Sequence, residues 1–250
     1  FLASLRYTAM RGTRRVGVER EFFLYHDDQP DPNAQEFLLR MGINTDHGSS
    51  WIYELSACQV EHRTEPHTNL DGLRKNLIGG SNDANFIAGS MGREVRGIEV
   101  APASMTLATY PDPRYAQIAE SLGEDRLRAA CRVAGVHVHV ECFSLDDAIR
   151  VYGALRHELS RLIRLGDHSD GERMRLYGVV VNGLHIPPSV ENAEHLYERA
   201  CNGGWGIDHR SCWWALRFSR HGTIEVRVFG SVDDIDEVVN YARQTLVVVQ

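Results

Sequence analysis

Two glutamates, Glu19 and Glu21, stand two residues apart in the segment RVGVEREFFLY at 15–25. Val16, Val18, Phe22 and Phe23 give that segment the character of a strand, and alternate strand residues share a face. Both carboxylates therefore point the same way, and burying them together is costly unless a positive group lies between them. Three more segments repeat the pattern. CQVEHRT at 58–64 offers Gln59, Glu61 and Arg63; GVHVHVEC at 135–142 offers His137, His139 and Glu141; GTIEVRVF at 222–229 offers Thr223, Glu225 and Arg227. The opposite parity reads Val16/Val18, Val60, Val136/Val138/Val140 and Ile224/Val226/Val228. Each segment is thus a strand with one apolar and one chemical face.

Polar strand faces often simply meet water. Solvated faces, however, carry Lys, Thr and Ser, and no lysine occurs in these segments. Carboxylates with a few imidazoles and no thiolates suit a hard divalent cation, Mg²⁺ or Mn²⁺, better than structural zinc. One or two such ions are the positive partner expected between Glu19 and Glu21. Histidines spaced HxH also serve metal-dependent hydrolases. There the motif opens the first strand, whereas here it follows the carboxylate strands. No phosphate-binding GxxxxGK[ST] loop occurs, and the glycines of LIGGSND (77–83) read as a helix end. Cys58 has the parity of the apolar face and is not nominated as a nucleophile.

The elements that must position these groups are legible by period. A fifth apolar run, LYGVVVNGL at 176–184, reads as another strand. Leu70, Leu73 and Leu77 mark a helix at 69–78, and Ile118 and Leu122 one at 113–122. The segment 144–165 reads as one long helix, capped by Ser144 with Asp147 in the capping-box position. Its stripe is Tyr152, Leu155, Leu159, Leu162 and Ile163. The segment 231–250 repeats the pattern, with Ser231 as cap and Val238, Val239, Ala242 and Leu246 on one face. Turn formers cluster at 26–36, 110–114, 166–172, 185–192 and 201–206.

The 250 residues suit one large domain, 1–250, and 43% hydrophobic residues supply a core. A net charge of −7 argues against nucleic acid or an anionic membrane as partner. Five cysteines, an odd number without a CxxC pair, read as reduced thiols of a cytoplasmic protein. No apolar run approaches the ~20 residues of a membrane helix. The chain starts at Phe1, and the last helix lacks a stop signal before Gln250, so further residues are expected at both ends.

In order, GVERE, ELSACQVEHRT, GVHVHVE and RFSRHGTIEVRVF resemble glutamate–cysteine ligase family 2 over about Val16 to Val239. This is the carboxylate–amine ligase branch of the superfamily that shares the glutamine synthetase catalytic core. The resemblance implies an α+β fold: a curved, largely antiparallel sheet with a concave catalytic face and helices on the convex face. It implies that ATP activates a carboxylate as an acyl phosphate, which an amine displaces, with glutamate and cysteine as the namesake pair. It further implies Glu21, Glu54 and Glu61 on one metal and Glu19, His137 and Glu225 on a second. His139 and Arg227 would lie at the ATP phosphates, Arg227 and Glu225 would act in catalysis, and Gln59 and Arg63 would face substrate. The segment LGDHSDGERMRLYG (165–178) stands where the family's usual pattern is not obvious, with Arg173 and Arg175 as substrate candidates. Gly230 replaces an acidic residue frequent in the family, which bears on the choice of amino acids. A homo-oligomer is compatible with this reading. Two rivals remain open: a metal-dependent hydrolase built on HxH, drawing on His185 or His209, and a non-catalytic homologue.

Overall fold

The structure is a computed structural model that describes residues 2–7, 12–42, 50–181, 183 and 186–250, with Ser50 and His209 by backbone alone. Its strands are β1 (Val16–His26), β2 (Gln29–Pro30), β3 (Ser50–Tyr53), β4 (Gln59–Arg63), β5 (Glu94–Arg96), β6 (Gly135–Glu141), β7 (Leu216–Ser219) and β8 (Thr223–Gly230). The main path of the sheet runs β3-β4-β1-β6-β8-β7, with β2 and β5 also paired to β1, and every pairing is antiparallel. The fold is therefore α+β around an antiparallel sheet.

The helices are α1 (Ala34–Met41), α2 (Leu70–Ser90), α3 (Pro113–Leu122), α4 (Glu124–Arg132), α5 (Leu145–His157), α6 (Leu159–Leu165), α7 (Glu172–Val180), α8 (Ala193–Asn202) and α9 (Ile235–Val249). Val16, Val18, Val138, Ile224 and Val226 pack against Leu73 and Leu77 of α2, Tyr152 and Leu155 of α5, and Val238 and Ala242 of α9. On the same face Phe22, Leu24 and Val60 meet α1 and the second half of α2. This is the apolar parity of the strands, buried under helices as the alternation requires.

The other face is not open along its whole length. Beyond Glu21 the same parity brings Phe23 and Tyr25, which pack with Tyr115, Ala130, Leu176 and Val180 of α3, α4 and α7. Three helices thus wall one end of the carboxylate face.

Several expectations need correction. Residues 176–180 of the apolar run form the end of a helix and not a strand: α7 covers Glu172–Val180, because a short apolar run fits a buried helix equally well. The glycines at 79 and 80 lie inside α2, where Gly80 lets the helix rest on the ring of His62. The long helix at 144–165 divides at Glu158, whose φ of −89° and ψ of 1° end α5 and start α6. Ser144 does cap α5, accepting from Asp147 N. Ser231 does not cap α9; Asp234 accepts from Asp236 N and Glu237 N, while Ser231 Oγ donates to Glu21 O. The loop expected at 26–36 contains β2 and the start of α1. Cys58 precedes β4, so strand parity does not govern it, and it packs with Phe23 and Cys131. Burial pushes its thiol up to about 11, which leaves it unsuited to nucleophilic work.

Candidate functional site

Cross-strand register gathers the chemical groups. Glu19 of β1 lies opposite His137 of β6 on one side and Arg63 of β4 on the other. Glu21 lies opposite Glu61, and His139 opposite Glu225. Directly opposed residues of antiparallel strands have adjacent side chains. His137 Nδ1 is 3.4 Å from Glu19 and 3.6 Å from Glu225, and its Nε2 is 3.6 Å from Glu21. His139 Nε2 is 3.4 Å from Glu19. Glu54 follows β3 and joins Glu21 and Glu61. All line a cleft of 600 Å³, except Glu225, which is fully enclosed beneath its arginines.

Charge is unevenly balanced across this floor. Burial opposes ionisation of Glu19, yet the His139 and His137 imidazoles hold it well below the usual carboxylate range. Burial pushes Glu54 up, and nearby Glu21 adds to the rise. Glu61 is pushed well up by burial and by the charges of Glu19 and Glu54. Glu21 is also raised by burial, although Arg227 and Arg173 partly offset this. The Glu21–Glu54–Glu61 corner therefore carries more negative charge than the protein neutralises there.

At the other end Glu225 has no exposure and is heavily compensated. Arg217 of β7 donates to it twice, from Nε at 2.7 Å and Nη2 at 2.9 Å, and Arg227 Nη1 donates at 2.6 Å. Burial opposes its charge, but Arg217 and Arg227 hold its carboxyl far below the ordinary range. Arg227 sits in a β-bulge: Val138 pairs with Val226 and Val136 with Phe229, so two residues of β8 oppose His137. Val228 and Phe229 consequently both enter the helix-covered core, which strict alternation forbids.

Arg173 of α7 is 4% exposed and closes this irregularity. It donates to Ala134 O at 2.9 Å, Val228 O at 3.0 Å and Arg227 O at 3.1 Å. The carbonyls of Arg227 and Val228 are those the bulge takes out of the ladder, while Ala134 O also accepts from Ser231 N. Gly135 makes room for it, since a Cβ there would lie 2.2 Å from Arg173 Nη2.

The other residues singled out from sequence fare differently. Gln59 lines the cleft but its amide donates to Val133 O at 2.7 Å. Arg63 pairs with Glu61 at 2.5 Å and Glu19 at 3.5 Å. Arg173 borders the cleft, but its donors are taken by the backbone, so a substrate contact is not what its geometry provides. Arg175 is 64% exposed, pairs with Glu172 and is not brought to the cleft. His185 lies outside the described residues, as does the side chain of His209. Sequence reasoning missed Arg217, Arg114, Arg210, Tyr53, Trp213 and His221, all on the cleft wall. Only Arg217 had a readable signal: SRHGT is a hairpin turn that sets Arg217 opposite Glu225.

The donor set fits a divalent cation. Three groups have ligand atoms mutually within 4.8 Å: Glu21–Glu54–Glu61, Glu19–Glu61–His137 and Glu19–His139–Glu225. Each holds at least two glutamates and at most one histidine, which is the ligand chemistry of Mg²⁺ or Mn²⁺. The buried His139 Nε2 makes no well-formed hydrogen bond and instead faces Glu19 at 3.4 Å and Glu225 at 4.0 Å, the spacing of groups that can share an ion. The second group expected from sequence is also close together, with His137 Nδ1 beside Glu19 and Glu225, and His139 forms a further group with the same two carboxylates.

Comparison with known proteins agrees with this geometry. The profile of glutamate–cysteine ligase family 2 matches residues 15–167. A relative from Mycolicibacterium smegmatis, provisionally named glutamate–cysteine ligase 2-3, is 29% identical over 247 residues, covering 93% of this chain and 67% of its own. A similarly named relative from Frankia alni is 30% identical over 173 residues, covering 63% of this chain and 44% of its own. The chain spans about two-thirds or less of the length of these curated relatives. Among solved structures, Plasmodium falciparum glutamine synthetase superposes with a TM-score of 0.56 at 11% identity, over 95% of this chain and 51% of that one. A bifunctional glutathione synthetase from Pasteurella multocida gives 0.58 at 13% identity, over 94% and 39%. At these identities the two structures speak for the fold.

Proposed function

Since the chain belongs to glutamate–cysteine ligase family 2, a family of carbon–nitrogen ligases, we propose that it joins a carboxylate to an amine with cleavage of ATP. The observation that carries this reading is the uneven floor of the cleft: a carboxylate corner at Glu21, Glu54 and Glu61, and an arginine pair at Arg217 and Arg227. The names of the relatives support glutamate as the carboxylate and cysteine as the amine.

In this reaction a carboxylate oxygen of the donor attacks the γ-phosphorus of ATP, and ADP leaves. The amine nitrogen then attacks the acyl phosphate carbon, and phosphate leaves with the bond electrons. Mg²⁺ or Mn²⁺, held by the glutamates with His137 and His139, would neutralise phosphate oxygens and orient them. Arg227 belongs to the cleft wall, so its guanidinium is placed to meet the charge of the transferring phosphoryl group, although its Nε is itself buried. Glu225 and Arg217 fix the plane of the Arg227 guanidinium. Gln59 and Arg63 border the floor where a carboxylate donor would rest.

Among the described residues no helix is long and apolar enough to cross a membrane. Five free thiols fit a reducing, cytoplasmic setting.

The test is ADP release with Mg²⁺ and ATP across a panel of amino acids. Release that requires both a carboxylate donor and an amine, and that yields one amide per ADP, is expected. A folded protein that releases no ADP with any pair, yet cleaves amides with a divalent metal alone, would turn the assignment to hydrolysis.

A further inference from the structure

The opposite parity of β1 carries one polar residue between the two glutamates. Arg20 points to the helix-covered side and is 1% exposed. Its Nη1 donates to Ser81 Oγ at 3.0 Å, its Nη2 to Val232 O at 3.1 Å, and its plane lies over the Phe22 ring. Its Nε has no hydrogen-bond partner, and the charge that compensates it is that of Asp233. Burial pulls the guanidinium down to about 10, with Asp233 only partly restoring it. Only neutral groups hydrogen-bond this buried cation, and the charge of Asp233 offsets its burial only in part.

Arg20 borders a cavity of 270 Å³, separate from the cleft, that also touches Phe22, Ser81, Asn85, Val95 and Asp233. The size falls just below the ~300–1,000 Å³ of pockets for drug-sized ligands, so it suits a smaller molecule. Its walls divide by chemistry. Arg20 and Ser81 supply donors, Phe22 and Val95 an apolar side, and Asp233, exposed and anchored by Gly97 N at 2.7 Å, a negative charge. A simple anion would satisfy Arg20 and be repelled by Asp233. A zwitterion satisfies both.

We propose that this cavity is a second ligand site, taking a free α-amino acid with a small apolar side chain. Its carboxylate lies against Arg20 and Ser81, its ammonium group faces Asp233, and its side chain meets Phe22 and Val95. The site does not depend on the ligase reading, because it shares no residue with the cleft.

Titration calorimetry with L-valine tests this on the wild type, Arg20→Met, Asn85→Phe and Arg227→Ala. Asn85 is exposed on α2, so Asn85→Phe narrows the cavity without disturbing the core and decides the matter if Arg20→Met does not fold. L-valine should bind wild type and Arg227→Ala alike, and at least tenfold more weakly to Arg20→Met and Asn85→Phe. Acetate and methylamine should each bind at least tenfold more weakly than L-valine. Absence of L-valine binding, or equal binding to Asn85→Phe, would mean the cavity holds only water. Acetate binding as well as L-valine would reduce it to an anion site. Loss of binding in Arg227→Ala alone would move the ligand to the cleft. Each of these three results overturns the proposal.

Discussion

Replacing Arg227 with alanine separates two roles that its position allows. Glu225 is fully buried and accepts three charge-assisted hydrogen bonds, two from Arg217 and one from Arg227. Arg227→Ala removes one of them and leaves the bidentate Arg217 contact. That costs about 1.5–3 kcal/mol, the range for a hydrogen bond to a charged group. Arg217→Ala strips the fork and leaves a buried carboxylate with one contact, which costs about 3–5 kcal/mol, as for a broken buried pair. Turnover should run the other way. Loss of a donor aimed at developing charge lowers kcat by about 10²–10³, equivalent to about 2.7–4 kcal/mol.

The two variants should therefore cross: Arg227→Ala folded but nearly inactive, Arg217→Ala markedly less stable. Urea midpoints at constant slope measure the first quantity. ADP release per folded molecule measures the second. Arg227→Lys should recover little, since an ammonium group lacks the planar fork that grips two phosphate oxygens. If Arg227→Ala is as destabilised as Arg217→Ala while its folded fraction turns over normally, Arg227 is only a salt-bridge partner and the reasoning fails.

Gly80→Ala should lower stability by about 1–3 kcal/mol as overpacking, despite the better helix propensity of alanine. The new Cβ would lie 2.1 Å from His62 Nε2, and His62 is fully buried and stacked on Trp51, so a fall in Tm is expected. Asp147 accepts from Arg14 at 2.7 Å and from Phe143 N at 2.9 Å, and the Arg14 hydrogen bond holds its carboxyl below the usual 3.8. A depressed carboxyl stabilises the fold above its unfolded value of ~3.9 and loses that contribution as pH falls below it. Asp147→Asn should then cost about 1–2 kcal/mol at pH 7, less at high salt, and the gap from wild type should close toward pH 2 in denaturation curves.

The parts of the site that were legible in the sequence are those that obey alternation. Glu19, Glu21, Glu61, His137, His139 and Glu225 lie on strands whose aliphatic parity fixes the opposite face, so their common side follows from the pleat alone. Glu54 stands just past the end of β3, where no period applies, and only the family resemblance pointed to it. Arg173 could be placed near the site but not given its role, because that role depends on a bulge in β8, and a bulge has no signature in a single sequence. The aromatic and arginine wall at Tyr53, Arg114, Arg210 and Trp213 comes from loops, short elements and α3, which only tertiary packing brings to the cleft. Arg20 and His62 break the rule in the other direction: they are polar residues at apolar parity, buried at 1% and 0%. The run at 176–184 is too short to read, since a mostly apolar run of this length does not distinguish a strand from a buried helix.

The place of β1 in the sheet has a consequence for the chain as it is synthesised. β1 can pair with β4 soon after it is made, but its other edge is covered by β5 only over Phe23–Tyr25, and the Val16–Arg20 part waits for β6, which begins at Gly135. At ~5–20 residues per second, that edge stays bare for on the order of 5–20 s. A bare edge that carries Val16 and Val18 invites pairing with a neighbouring nascent chain, and charged residues on a strand oppose it. Glu19 and Glu21 stand on this strand, with no imidazole or arginine from β6 or β8 yet made to neutralise them. The carboxylates that later form the floor of the cleft thus begin as gatekeepers on the ribosome. Substituting them with neutral residues should leave a chain that aggregates during synthesis, even if the finished fold tolerates the change.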